Sequence, residues 1–215
     1  EYMAALLTSV GDSKDKMAVY LNECRRMGIK VLPPDVGESI RYFAAVGEDI
    51  RFGLGAVRNV GANVVDAIVT ARQEAPFTSF HDFLGKVPVH VANKRTVKSL
   101  IKAGAFDSLG STRRALMEIH EDATEQAVLD KRREANGEVG FDFDSLWDEP
   151  QQVQKVPDRP EWTKKDKLAF EREMLGLYVS DHPLAGLEIP LAKHASLSIH
   201  DLLASEDIAD GEQVT

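Results

Sequence analysis

The residues best suited to chemistry in this 215-residue sequence lie in the run Arg58-Asn59-Val60-Gly61-Ala62-Asn63. Downstream, Val64, Ile68 and Ala71 fall at i, i+4 and i+7, the period of one helix face, so Gly61 stands where a helix begins. The first N–H groups of a helix have no carbonyl partner inside it, and the helix dipole adds partial positive charge at that end. Such an end accepts an anion. Gly61 carries no side chain to cover those donors, and Asn59 is a residue type that tolerates a left-handed turn. The chemistry implied is non-covalent capture of an anion by backbone amides. Two core helices joined by a glycine turn would give the same pattern, and this stretch alone leaves both readings open.

The charge distribution bears on the choice. The chain has a net charge of −9 and a pI of about 5.2, which argues against a uniformly basic nucleic-acid binder. Between Arg51 and Ala115, however, ten basic residues stand against four acidic ones, a local charge of +6 that leaves −15 for the remainder. Lys94, Arg95, Lys98 and Lys102 share roughly one side of a predicted helix, either as a solvated face or as a phosphate-facing one. No P-loop, dinucleotide glycine pattern, zinc spacing or nucleophile elbow occurs. The six histidines are scattered, and Asp181-His182 lacks a nucleophile or metal partner, so no catalytic residue is assigned and no cofactor is expected in this segment. Cys24, the single cysteine, cannot form an internal disulfide and reads as a structural thiol in a reducing compartment. No apolar run is long enough to span a membrane and no signal peptide is evident, so a cytoplasmic location is expected.

The elements that must position these residues are mostly helices. Glu1 to Met27 reads as two helices around Gly11-Asp12-Ser13, with Ser13 as a cap and Gly28 as a left-handed stop. Ile29 to Leu32 reads as a short strand, and Arg41 to Val46 with Asp49 to Phe52 as a hairpin around Gly47-Glu48. Ser79 caps a helix whose neighbourhood holds Phe77, Phe80 and Phe83, read as core rather than as base-stacking platforms. Asn93 caps a helix through Ala103 with Val97, Leu100 and Ile101 inward, and Ser111 or Thr112 caps a longer one bearing Leu116, Ile119 and His120. Asn136 to Glu161 is polar, acidic and rich in Gly, Pro, Asp and Gln, a linker composition with an apolar island at Phe141 to Trp147. That island is either a docking peptide or folds back on the domain. Thr163 and Asp166 form a capping-box-like start to Lys164–Leu175, which Gly176 ends, followed by an extended Leu177 to Leu184 and a short helix at Ser198 to Ala204. The chain opens inside a helix and closes where a strand begins, as expected of a piece of a longer polypeptide.

The Leu54 to Arg72 pattern, an apolar run up to Val57, a short break and then a second helix, resembles the helix-hairpin-helix motif, in which a Gly-apolar-Gly turn grips the DNA backbone; Asn59 replaces the first glycine. The Lys94–Ala103 and Arg113 helices supply a second such unit. The blocks Tyr2 to Val10, Glu23 to Ile29 leading to Leu32 to Val36, Ile50 to Leu54, Asn93 to Arg95, Leu100 to Asp107, Glu173 to Tyr178 and His182 to Leu184 resemble, in order, the alpha subunit of bacterial DNA polymerase III, the C-family replicative polymerase. The fold class implied is mainly α with a few short β-strands, a tandem helix-hairpin-helix domain following the end of a fingers domain. The implied organisation is distal fingers at 1–49, the tandem domain at 50–135, an acidic linker at 136–161, and a connection into an OB-fold at 162–215.

The resemblance implies that the full polypeptide is a DNA-directed DNA polymerase using magnesium held by palm carboxylates outside this segment. Its partners would be primer–template duplex, a sliding clamp and other replisome subunits. The implied phosphate contacts are Arg58, Asn59, Val60, Gly61, Ala62, Asn63, Lys94, Arg95 and Arg113. The family's clamp motif, a Gln followed after two residues by Leu or Met and then Phe, has its nearest match in Phe143, Leu146 and Trp147, with Phe143 standing where Gln is expected. Two alternatives compete: a stand-alone helix-hairpin-helix repair module, and an acidic protein-interaction scaffold.

Overall fold

Apolar residues at three- and four-residue spacing, punctuated by caps, build most of the chain as helices in the computed structural model, which describes residues 1–11, 13–136, 155–181 and 183–195. Helices α1 (Tyr2–Ser9) and α2 (Lys14–Arg26) pack together, burying Met3, Leu7, Met17, Leu21 and Cys24. Ser13 occupies the N-cap position of α2, but its side chain makes no cap hydrogen bond, so its role is positional only. Gly28 takes φ +76°, as expected for a left-handed stop. Burial pushes the Cys24 thiol above its ordinary range, consistent with a structural role.

Strands β2 (Ala44–Val46) and β3 (Asp49–Arg51) form the expected antiparallel hairpin, with Gly47 at φ +60° in its turn. Strand β1 (Val31–Leu32) adds to β3 in parallel, a pairing that local sequence does not announce because the partners are about twenty residues apart. Ser39 locks this corner: its hydroxyl donates to the Phe52 carbonyl at 2.8 Å and accepts from the Asp35 N–H at 2.9 Å.

The remaining helices are α3 (Ala62–Glu74), α4 (Phe80–Lys86), α5 (Lys94–Ala103), α6 (Arg113–Ala135) and α7 (Lys164–Leu175). Four expected caps are present: Ser79, Asn93, Thr112 and Thr163 each accept from the N–H three residues on. Phe77, Phe80, Phe83 and Phe106 form an edge-to-face cluster with centroid separations of 4.9–5.3 Å, joining α4 to the turn after α5, so these rings are core. The inward residues of α3 are Val65, Ile68 and Ala71; Val64 is only half-buried, which moves the expected face by one residue. The run before Arg58 is not an α-helix but one 3₁₀ turn, Leu54–Ala56. Packing fixes it so tightly that a Cβ on Gly53 would lie 2.6 Å from the Arg41 carbonyl oxygen.

Residues Glu1–Ser180 form one compact unit in which elements from α1 to α7 share a core. Residues from Asp181 onward form a second unit, where Pro183–Gly186 is a turn rather than extended and Glu188–His194 is helix α8, which the sequence reading did not assign. No described helix is long and apolar enough to cross a membrane.

Candidate nucleic-acid interface

The turn at residues 57–61 is held from two sides and by a bond of its own, and this sets which of its donors remain open. Asn59 adopts φ +65°, the left-handed conformation its residue type predicts, and is the only described non-glycine residue at positive φ. Its side-chain amide donates to the Ser99 hydroxyl at 3.0 Å, and its carbonyl accepts from the Thr96 hydroxyl at 3.3 Å, tying the turn to α5. The Arg58 N–H donates to the Met174 carbonyl at 2.9 Å, tying it to the end of α7. The Val60 N–H donates to the Val57 carbonyl at 3.1 Å, and the Val60 side chain is buried. Val60 therefore has no amide to offer a ligand, against the sequence expectation.

The N–H groups of Gly61, Ala62 and Asn63 have no acceptor within the described chain, and Gly61 caps α3 without a side chain. Gly61 and Asn63 are exposed and Ala62 is half-buried. Asn59, Val60 and Gly61 line an open concavity of 440 Å³ whose remaining wall is Arg95 of α5. The open Gly61 amide and the Arg95 guanidinium thus line one hollow, and the free Ala62 and Asn63 amides follow at the same helix end, an arrangement that suits a phosphate group.

Most of the basic island is already paired within the chain. Arg51 pairs with Glu38, Lys86 with Asp82 at 2.7 Å, Lys94 with Glu125 at 2.5 Å, and Lys102 with Glu173 at 2.7 Å. Arg72 donates to the Val36 and Ser39 carbonyls at 3.1 and 2.6 Å, and burial lowers its pKa. Among the described residues, only Arg58, Arg95, Lys98 and Arg114 of the ten have no such partner, and all four are exposed. Lys94, expected to contact phosphate, instead has its pKa raised by the hydrogen bond it donates to Glu125.

Arg113, also expected at the interface, is 3% exposed. Its guanidinium donates to Asp107 at 2.7 and 2.9 Å and to Glu171, itself fully buried, at 3.2 Å. It is a structural cation and leaves the candidate contact set. The second hairpin is closed as well. At the start of α6 the N–H groups of Arg113 and Arg114 donate to the Glu161 carboxylate at 3.0 and 3.3 Å, and the third, of Ala115, donates to Thr112. Around this cap, Arg159 pairs with Glu118 at 2.8 Å and accepts from Thr112 through its carbonyl at 3.0 Å. The chain fills its second anion site with its own carboxylate and leaves the first open.

Lys98, placed by its spacing on the basic side of α5 but not among the implied phosphate contacts, is exposed one turn beyond Arg95 and belongs to the open set. The expected clamp residues Phe143, Leu146 and Trp147 lie outside the described residues. No group of three or more His, Cys, Asp or Glu side chains among the described residues is arranged to hold a metal.

The family model described as "Helix-hairpin-helix motif" matches residues 28–116. The chain is 53% identical, over its whole length, to DNA polymerase III subunit alpha of Saccharopolyspora erythraea, and 52% identical to that of Mycobacterium tuberculosis, covering 18% of each. The counterpart from Thermus aquaticus is 42% identical over 94% of the chain, which covers 16% of that protein. The chain therefore spans less than a fifth of the length of these relatives.

Proposed function

Throughout its length this chain is homologous to a segment of DNA polymerase III alpha subunits, and on that premise we propose that it holds duplex primer–template DNA by its sugar–phosphate backbone. The observation that carries this reading is the open hairpin: unpaired N–H groups of Gly61, Ala62 and Asn63, with Gly61 and Arg95 lining one hollow, on a turn pinned from two sides by α5 and α7. Arg58 and Lys98 extend the same exposed face. The contacts are to phosphate, so recognition is blind to base sequence and sensitive to salt. Three side-chain cations imply a slope of log affinity against log salt of about −2.7.

The parent polypeptide would then be a DNA-directed DNA polymerase whose magnesium-binding carboxylates, replisome partners and cytoplasmic location belong to the whole. In it, residues 1–49 would close the fingers, 50–135 would form the DNA-gripping domain, and 136–161 would link onward toward an OB-fold at 162–215. Phe143, Leu146 and Trp147 would offer a clamp-docking peptide; unchanged clamp affinity after Leu146→Ala with Trp147→Ala would remove that part.

The test is fluorescence anisotropy of labelled duplex with the 215-residue chain at several salt concentrations. Gly61→Ala, which puts a methyl over the open amides, and Arg95→Ala should each weaken binding severalfold, equally on unrelated sequences. Binding that ignores both changes, or that is absent as for an acidic scaffold, contradicts the proposal.

A further inference from the structure

On the other side of the same turn lies a second hollow, lined by Gly11, Lys14, Met17, Arg58, Met174 and Gly176 among others. Lys14 and Arg58 are exposed and have no carboxylate within 4.0 Å among the described residues. The Lys14 stem lies against Gly176, where an added Cβ would sit 3.0 Å from its Cε and 3.4 Å from its Nζ. Gly176 has φ +82°, so that position both ends α7 and leaves the space that Lys14 occupies. The hydrogen bond from the Arg58 N–H to the Met174 carbonyl fixes the turn to this wall.

Arg58 lines this hollow while Asn59, its neighbour, lines the Gly61–Arg95 hollow, so the two depressions adjoin across a single peptide unit. A lone small anion would need only one of them. Two adjoining depressions, each walled by an unpaired cation, suit consecutive phosphates of one strand. We infer that Lys14 and Arg58 form a second phosphodiester subsite, continuing the grip of the open hairpin onto helix α2. This rests on the reading of the hairpin as a duplex-holding site. It adds a residue, Lys14, that lies outside the region matched by the helix-hairpin-helix model.

The experiment is anisotropy of labelled duplex with the whole chain, comparing Lys14→Gln with Lys16→Gln across a salt series. Lys16 is also exposed on α2 but does not line the hollow, so it controls for general charge. Both changes are on the surface, and circular dichroism checks that each variant folds. Lys14→Gln should lower affinity about fivefold to tenfold near about 0.1 M salt and make the salt slope shallower by about 0.9, with Lys16→Gln near the parent. A slope unchanged by Lys14→Gln, while Gly61→Ala still weakens binding, overturns this subsite and leaves the hairpin reading standing. Equal effects of Lys14→Gln and Lys16→Gln overturn it too, because they mean diffuse attraction. Loss of duplex binding in the parent chain overturns both.

Discussion

A Cβ added at Gly61 would meet no atom within 4 Å, and φ −78° is open to any L-residue. Nothing inside the protein requires glycine there; the proposed close approach of a phosphate would. Gly104 is the opposite case, with φ +82° and a space into which a Cβ would collide with the Arg113 guanidinium. Gly61→Ala should therefore change unfolding free energy by no more than about 1 kcal/mol, the scale of an N-cap exchange. Gly104→Ala should cost more than that, because it adds left-handed strain to a clash with a buried cation. Urea denaturation of the two variants checks the contrast. His81 offers a pH test at the same scale. Its Nε2 is buried without a partner, and burial holds its pKa below the ordinary histidine value. Below about pH 6.5 the unfolded chain binds a proton that the folded chain resists, so this residue makes stability fall as pH drops through that value. Urea midpoints at about pH 7.5 and about pH 5.5 should differ less in His81→Leu than in the parent chain.

Among the elements, the two hairpins share a topology and differ in what fills the helix end. At α3 the end is open; at α6 it is filled by Glu161. Four of the five expected side-chain caps, the Asn59 turn and the phenylalanine core were legible in the sequence because each depends on neighbours a few positions apart. The closure of α6 was not, because Glu161 lies 48 residues from Arg113 and Glu171 lies 58 away. The same distance effect hid the fate of Lys94 and Lys102, whose partners Glu125 and Glu173 are 31 and 71 residues off. A short 3₁₀ turn in place of a first helix was equally hidden, since tertiary packing around Gly53 and Gly55 decides it. Glu171 also accepts from the Ser180 N–H and hydroxyl at 3.1 and 2.9 Å, so it joins α7, α6 and the segment after α7. Glu171→Ala would leave Arg113 paired with Asp107 and the Lys102 carbonyl but strip the Ser180 N–H and hydroxyl of their acceptor, and should cost about 1–3 kcal/mol, the scale of buried polar groups left unpaired. Denaturation of that variant measures it, and a loss under about 1 kcal/mol would show that the cluster is not holding α7 in place.

Over the whole molecule, an acidic chain is proposed to hold an anionic polymer through a small exposed patch. With a net charge of −9, long-range attraction is absent, and the grip must come from short-range amide and guanidinium contacts. Isolated binding should therefore be in the weak, non-specific range, about 10⁻⁴ to 10⁻⁶ M at physiological salt, and steeply salt-dependent. The most direct test follows individual amides by NMR as duplex DNA is added. The account predicts that the Gly61, Ala62 and Asn63 N–H signals shift, reverse with added salt, and do so alike on unrelated duplex sequences, while those of Arg113 and Arg114 stay in place. Shifts confined to the start of α6, or an unchanged spectrum at Gly61 to Asn63 under saturating duplex, would contradict it.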